Sequence, residues 1–220
     1  MKAGLRLLLV GATGAVGRAV LAQALADSRV AEVVALTRRP LAAAARLSNV
    51  VVDFDRLPEH ASCWAVDAVV CTLGTTLRAA GSKAAFAAVD RDLPLRIAGL
   101  ARAAGASRFA LNSSLGADAR SGNFYLRNKG EAEDAIRRLA YPGYTIVRPS
   151  LIDVDRTEAR PGERIGLVLA RTLAPLIPER WKAVTPEAIA RALLDGALAS
   201  PPVSGVIESA ALHRAPGDKN

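Results

Sequence analysis

An apolar run followed at once by evenly spaced glycines limits the folds open to this chain. Residues 5–10 read LRLLLV, and the next seven residues read GATGAVG. An unbroken apolar run of this length is typical of a strand buried on both faces of a parallel sheet. Glycines behind it let a helix begin close to the strand and let a ligand approach the backbone. The stretch therefore predicts a strand, a tight turn and a helix.

Similar apolar runs recur along the chain and alternate with segments of helical periodicity. Beyond the first strand, the pattern predicts strands at residues 32–37, 49–52, 67–73, 107–112 and 144–149, with a short edge strand at 204–209. Helices are predicted at 15–26, 93–104, 125–139 and near 186–199. Pro94 either opens the second of these helices in its first turn or kinks it.

Alternation of strands and helices indicates an α/β fold with a doubly wound parallel sheet, the Rossmann fold. The length of 220 residues suits one domain. We expect a single domain of this fold over residues 1–212, in which residues 150–200 form a small substrate-side segment. The polar, breaker-rich residues 213–220 are expected to be a flexible tail.

Composition argues against nucleic acid and membrane partners. The net charge is +8, but the arginines are scattered and no basic run is interleaved with aromatic residues. A nucleic-acid footprint needs clustered positive charge, so we predict no nucleic-acid partner. No uncharged run reaches the roughly 18 residues that span a bilayer, so we predict no membrane association.

The few cysteines and histidines argue against a disulfide framework and a metal site. Cys63 and Cys71 lack CxxC spacing, which favours a reducing compartment, and we expect a cytoplasmic protein. His60 and His213 lie far apart along the chain. No metal is therefore predicted.

The glycine turn is the first candidate site. Gly11 would permit the tight turn, Gly14 would let the backbone approach a pyrophosphate, and Gly17 would let helix and strand pack closely. The spacing is GxxGxxG and not the general GxGxxG fingerprint. Close helix–strand packing without any ligand therefore stays open as the alternative.

The end of the second strand bears on which cofactor is bound. NAD sites commonly place an acidic residue there, whereas this chain has Thr37, Arg38 and Arg39. Guanidinium groups suit a 2′-phosphate, so NADP(H) is favoured over NAD(H). An exposed arginine pair without a ligand is the alternative. Asp53 is predicted to meet the adenine edge, and residues 72–76, TLGTT, the middle of the cofactor.

A candidate catalytic set follows the fifth strand. Tyr125 and Lys129 are four residues apart on a predicted helix and therefore share a face. The lysine charge would favour proton release by the phenol, so that Tyr125 could exchange a proton with a carbonyl oxygen. A serine at the strand end would hydrogen-bond the same oxygen; the spacing favours Ser113 over Ser114. A surface Tyr–Lys pair and a simple serine loop are the alternatives. A serine hydrolase is disfavoured because the chain has no GxSxG elbow.

The ordered series of motifs resembles the short-chain dehydrogenase/reductase superfamily, and within it an atypical branch. The motifs that carry the resemblance are GATGAVG, TRRP, VVDFDRL, CTLGTT, VDRDLPL, SSLGAD, NFYLRNKGEAE and RPSLIDVDRTEARPGE. The resemblance covers nearly the whole chain. It implies an NADPH-binding Rossmann fold with Tyr125 and Lys129 at the active-site positions, and it adds Ile152 and Arg160 as cofactor neighbours.

These observations together predict a cytoplasmic NADP(H)-dependent oxidoreductase that acts on a small carbonyl or alcohol substrate. A non-catalytic NADPH-binding regulator and a sugar-nucleotide epimerase are the alternatives, and a homodimer is expected. The predicted catalytic residues are Ser113, Tyr125 and Lys129. The predicted cofactor contacts are Gly11, Ala12, Thr13, Gly14, Ala15, Val16, Gly17, Thr37, Arg38, Arg39, Asp53, Phe54, Leu73, Gly74, Thr75, Tyr125, Lys129, Ile152 and Arg160.

Overall fold

The computed structural model describes residues 4–153 and 178–213. In these ranges seven strands form one sheet, and every neighbouring pair is parallel. The strands are β1 (Leu5–Val10), β2 (Val30–Thr37), β3 (Leu47–Val51), β4 (Ala68–Cys71), β5 (Arg108–Asn112), β6 (Gly143–Arg148) and β7 (Gly205–Glu208). Their order across the sheet is β3-β2-β1-β4-β5-β6-β7. The predicted doubly wound parallel sheet is confirmed.

Helices connect the strands. They are α1 (Ala15–Ala26), α2 (Leu77–Ala80), α3 (Lys83–Ala87), α4 (Leu93–Ala103), α5 (Phe124–Arg138) and α6 (Pro186–Ala197). The four predicted helices are confirmed, while the short α2 and α3 were not predicted. A π-helical stretch, Ala88–Asp92, joins α3 to α4. Pro94 lies in the first turn of α4, directly behind this wider turn, where its missing N–H costs no regular helical hydrogen bond.

The two faces of the sheet bury separate cores because alternate residues of a strand point to opposite sides. Leu7 and Leu9 of β1 belong to the cluster that includes α1 and α6. Leu8 and Val10 belong to the cluster that includes α4 and Ile136 of α5. A strand buried on both faces cannot alternate apolar and polar residues, which explains the unbroken apolar run.

The strand order reverses between β1 and β4, which pair side by side in the middle of the sheet. From β1 the chain proceeds outward to β2 and β3, and from β4 it proceeds outward in the other direction. Ligands of open α/β sheets bind at such a reversal, beyond the carboxyl ends of the strands. The glycine turn after β1 and residues 72–76 after β4 meet there.

Two of the predictions concern residues outside the ranges 4–153 and 178–213. Arg160 and the tail beyond residue 213 lie outside the described residues. The domain boundary at residue 212 stays a prediction. Among the helices of residues 4–153 and 178–213, none combines the length and the apolar character needed to cross a bilayer.

Candidate active site

The turn after β1 is shaped by glycines. Gly11 has φ +90°, a left-handed conformation that side chains disfavour. A Cβ added to Gly17 would lie 1.9 Å from the carbonyl oxygen of Gly11, so only glycine permits this approach of α1 to β1. Gly14 is exposed, and a Cβ there would meet nothing closer than 3.5 Å. Two glycines therefore serve packing, and Gly14 is the position where a ligand can reach the backbone.

The start of α1 carries uncompensated positive character. Its N-cap is Gly14, which offers no side-chain cap, and no acidic residue lies in the first turn. The first N–H groups of a helix have no partner within it, and the helix dipole adds partial positive charge there. Ala12 and Val16 are buried beneath the turn, whereas Thr13 is exposed. This cradle fits the diphosphate of a dinucleotide.

Thr72 supports the turn from β4 and was not among the predicted site residues. Its hydroxyl donates to the carbonyl of Val10 over 3.0 Å. A Cβ added to Gly11 would lie 2.6 Å from the Thr72 Oγ1 atom. The glycine turn is therefore held between α1 and the end of β4. The sequence predicts that residues 72–76 meet the middle of the cofactor, but it does not show that Thr72 contacts the glycines.

The arginines after β2 lie on a turn fixed by hydrogen bonds. The Thr37 hydroxyl donates to the carbonyl of Arg39 over 2.7 Å. Asn49 of β3 donates to the Thr37 hydroxyl over 2.8 Å and accepts from the N–H of Leu41 over 2.7 Å. Arg38 and Arg39 are exposed, and neither has an ion-pair partner among the described residues. The turn thus presents two free guanidinium groups at the carboxyl edge of the sheet.

Asp53 and Phe54 follow β3 at the same edge. Asp53 is exposed, and its carboxylate accepts the N–H of Asp55 over 3.0 Å, which caps a short 3₁₀ turn. Phe54 packs against the core on the α4 side. The two residues lie next to the arginine turn because β3 pairs with β2.

The start of α5 positions the Tyr–Lys pair. The Asn123 side chain caps the helix by accepting the N–H groups of Tyr125 and Leu126. The Tyr125 ring is half-buried and rests against Phe86, with 5.7 Å between ring centroids. The Lys129 ammonium lies 6.0 Å from the centroid of the Tyr125 ring. The predicted shared helix face is observed.

Lys129 is buried and paired with an aspartate that sequence analysis missed. The Lys129 Nζ atom lies 2.7 Å from Asp90 Oδ1. The other carboxylate oxygen of Asp90 accepts the N–H of Thr75 over 2.8 Å. In the sequence, Asp90 precedes Pro94 and Ile97 at helical spacing, and all three residues are buried. This spacing could have identified the carboxylate as an inward-facing group.

The two serines differ in their surroundings. The Ser113 hydroxyl is buried and donates to Glu133 Oε1 over 2.6 Å. The N–H groups of Ser113 and Leu115 donate to the carbonyls of Val147 in β6 and of Pro149 directly after it, so this segment is still extended. Ser114 therefore points to the opposite side and is half-buried.

The remaining predicted contacts surround the strand ends. Leu73 packs against the core, Gly74 is exposed, and a Cβ on Gly74 would lie 3.8 Å from Lys129 Nζ. Ile152 is 37% exposed and pairs through one bridge with Val184. Within the described part of the chain, no group of three or more His, Cys, Asp or Glu side chains could hold a metal ion.

Sequence comparisons add independent findings. Residues 11–171 match the family model described as NAD(P)H-binding. Protein HTATIP2 of Rattus norvegicus is 36% identical over 208 residues, which are 91% of this chain and 83% of that protein. A protein named fmp52, mitochondrial, from Emericella nidulans is 36% identical over 173 residues, which are 75% of this chain and 74% of the relative.

Comparison of structures points to the same architecture. The solved structure of MoeE5 in complex with UDP-glucuronic acid and NAD superposes with a TM-score of 0.71. The match covers 93% of this chain and 76% of MoeE5, at 19% identity. At that identity the similarity shows the fold alone.

Proposed function

The chain belongs to the NAD(P)H-binding family as an atypical short-chain dehydrogenase/reductase, and from this premise we propose that it is an NADP(H)-dependent oxidoreductase acting on a carbonyl or alcohol group. The observation that carries the proposal is the buried ammonium of Lys129 beside the ring of Tyr125. A buried lysine next to a phenol suits proton exchange, and the pair stands on the helix that follows β5.

Each residue of the proposed site has a distinct task. A dinucleotide held by these residues would supply the hydride for the carbonyl carbon, or take it up in the reverse direction. The phenol of Tyr125 gives its proton to the carbonyl oxygen during reduction and recovers it during oxidation. Lys129 donates hydrogen bonds to the ribose hydroxyls next to nicotinamide. The N–H groups at the start of α1 hold the diphosphate.

We assign the hydrogen bond to the substrate oxygen to Ser114. A hydroxyl has one proton, and that of Ser113 is given to Glu133. The half-buried Ser114 lies on the other side of the same extended segment. Ser113, which the sequence spacing favours, stays the alternative.

The preference for NADP(H) rests on Arg38 and Arg39. Both guanidinium groups are exposed and lack an ion-pair partner among the residues that the structure describes, so they are available to a 2′-phosphate. Asn49 and Thr37 hold their turn in place, which lowers the entropy lost on binding. Asp53 lies beside this turn and is proposed to meet the adenine.

Titration by calorimetry with NADPH and NADH tests this preference. We expect NADPH to bind at least about tenfold more tightly, because a charge-assisted contact contributes roughly 1.5–3 kcal/mol. Replacing Arg38 and Arg39 by alanine should remove the difference. Arg120→Ala is the control, because that side chain is 93% exposed and lies after β5. Equal affinity of the unmodified protein for the two dinucleotides would exclude the arginine role.

The proton donor is tested by Tyr125→Phe. The variant should bind NADPH within about twofold of the unmodified protein and lose about 100-fold or more of its carbonyl reduction. Tyr144→Phe, a half-buried tyrosine of β6, is the matched control. Reduction that persists in Tyr125→Phe would rule out the assigned role.

A regulator that binds NADPH without turnover is the second candidate. The commitment of the Ser113 hydroxyl to Glu133 favours it, because one of the two serines is then removed from the chemistry. Tight NADPH binding, together with no NADPH oxidation across a panel of aldehydes, ketones and UDP-sugars, would select this candidate. Turnover of a UDP-sugar without net NADPH oxidation would select an epimerase.

The remaining proposals concern cell location and assembly. We place the protein in the cytoplasm because Cys63 and Cys71 are both buried free thiols, as a reducing compartment allows. The relative named mitochondrial makes fractionation of tagged protein the necessary test. A homodimer is the expected assembly, and light scattering measures it directly.

A further inference from the structure

A buried carboxylate next to the Tyr–Lys pair has no role in the mechanism above. Asp90 is 2% exposed, and its carboxylate lies 2.7 Å from the Lys129 ammonium. An ionised carboxylate is costly to bury unless it is paired and hydrogen-bonded. Asp90 is paired with Lys129, and Thr75 donates its backbone N–H to the second oxygen over 2.8 Å. The oxygen that faces Lys129, Oδ1, has no hydrogen-bond partner among the described residues, so the ion pair alone compensates it.

The π-helical stretch places Asp90 at this point. Residues 88–92 form a wider turn between α3 and α4, and Asp90 lies in the middle of it. Single turns of this kind occur frequently at functional sites, since they redirect one side chain without ending the helix. Asp90 thereby links the loop after β4 to α5, through Thr75 on one side and Lys129 on the other.

The ammonium of Lys129 has more donors than partners. It carries three N–H groups, and among the described residues only Asp90 lies within ion-pair distance. The nitrogen is next to the exposed backbone of Gly74, where a Cβ would lie 3.8 Å away. The unused donors are therefore at the loop after β4, on the side where the sheet order reverses.

We propose that Asp90 is a positioning residue: its carboxylate holds Lys129 by an ion pair and cancels its charge, so that the site offers N–H donors to a neutral diol and not a free cation to an anion. The diol is the ribose next to nicotinamide, so the inference rests on the proposed function and deepens it. A neutral pair also keeps the net charge of the buried site at zero before a ligand binds.

A comparison of two ligands tests whether Lys129, held by Asp90, contacts the ribose next to nicotinamide. NADPH reaches from the arginine turn to Lys129, whereas adenosine 2′,5′-bisphosphate lacks the nicotinamide ribose and ends before it. Asp90→Ala should weaken NADPH binding about tenfold or more, because a charge-assisted hydrogen bond is misplaced. Binding of the bisphosphate should change by less than about twofold. Asp90→Asn, which keeps an acceptor oxygen, should recover part of the NADPH affinity.

Asp92→Asn is the matched control, because Asp92 lies two residues away, is 55% exposed at its side chain and pairs only with Arg91 among the described residues. It should leave both affinities unchanged. Unchanged NADPH affinity in Asp90→Ala, or an equal loss for both ligands, would overturn the inference. If the unmodified protein binds neither ligand, the proposed function fails and the ribose assignment fails with it.

The pairing itself is tested without any ligand by thermal unfolding. Asp90→Asn and Lys129→Met should each lower the melting temperature by several degrees, because each leaves the partner charge buried and alone. The double variant should recover most of that loss, yet bind NADPH as weakly as Lys129→Met. Additive losses in the double variant would show that the charges are not coupled and would overturn the inference, even if NADPH binds tightly.

Discussion

Two buried carboxylates, Glu133 on α5 and Asp90 facing α5, differ in how many hydrogen bonds they accept. Glu133 accepts four hydrogen bonds, from Ser113, twice from Arg148 and once from Arg137. Asp90 accepts one backbone N–H and lies within ion-pair distance of Lys129. We call Glu133 with Ser113, Arg137 and Arg148 the closed cluster, because every member is bonded to another. We call Asp90 with Lys129 the open pair, because the Lys129 ammonium has further N–H groups for a ligand.

The closed cluster has a structural task. Glu133 joins α5 to β5 through Ser113 and to β6 through Arg148, and Arg148 continues to Glu208 of β7. The hydrogen bonds of Arg148 to Glu133, followed by its one hydrogen bond to Glu208, hold the pKa of Arg148 above its usual value. A cleft of about 510 Å³ opens beside the cluster, yet each charged residue lining it has an oppositely charged partner. The cleft therefore presents no unpaired charge among the residues that line it.

Glu133→Gln should have the largest effect on stability. A small effect would contradict the structural role given to the cluster around Glu133. The change removes the buried counter-charge of Arg148 and one of the two ion pairs of Arg137. This loss should cost about 3–5 kcal/mol of unfolding free energy. Urea unfolding followed by circular dichroism measures it. The ratio of NADPH affinity to adenosine 2′,5′-bisphosphate affinity should not change, in contrast to Asp90→Ala.

Cys71, a buried thiol near Asp90 and Lys129, makes the stability of the protein depend on pH. Burial raises the pKa of this thiol to about 11; the Asp90 carboxylate also raises it, while a backbone N–H and the Lys129 ammonium lower it. A raised pKa in the folded state means that the stability contribution is complete below pH 9 and is lost as the pH rises to 11. The loss amounts to about 2–3 kcal/mol, at about 1.4 kcal/mol per pKa unit. Urea unfolding at pH 8 and 10.5 should show a larger loss in the unmodified protein than in Cys71→Ala, where Cys63 and Tyr141, whose pKa values burial also raises, still contribute.

Substitutions of the two serines distinguish a structural hydroxyl from one that contacts the substrate. Ser113→Ala removes one hydrogen bond to Glu133 and should cost about 1–2 kcal/mol of unfolding free energy with little change in kcat. Ser114→Ala should leave stability within about 0.5 kcal/mol and lower kcat at least tenfold. If kcat falls in Ser113→Ala and not in Ser114→Ala, the catalytic serine is the one that the sequence spacing favours.

Arg137→Met should have the smallest effect among substitutions within the closed cluster. Its side chain is 32% exposed and its pair with Asp134 is a surface contact. Glu133 loses one hydrogen bond but keeps Arg148 and Ser113 as partners, so about 0.5–1 kcal/mol of unfolding free energy is expected. Arg148→Met is the matched comparison, because that guanidinium makes two hydrogen bonds to Glu133 and one to Glu208. A greater loss from Arg137→Met than from Arg148→Met would contradict the assignment of Arg148 as the central cation of the cluster.

The sequence by itself determined the architecture and the positions that depend on local structure. Unbroken apolar runs identified the buried parallel strands, and α1 has the predicted bounds. The glycine turn followed from backbone conformation alone, since Gly11 needs positive φ and Gly17 allows no Cβ. Tyr125 and Lys129 share a face because residues four apart on any helix do so. The short α2, α3 and π-helical stretch were missed because they are too short to show a repeating apolar stripe.

Only the tertiary structure decided which polar groups meet. Asp90 and Lys129 come from different helices, and Ser113 and Glu133 from a strand end and a helix. Such contacts depend on the rotation of each helix about its axis and on its height along the sheet, which packing sets and local periodicity does not. Spacing along the chain could place a serine, a tyrosine and a lysine near one edge of the sheet. It could not show that one serine hydroxyl is already bonded or that the lysine charge is already paired.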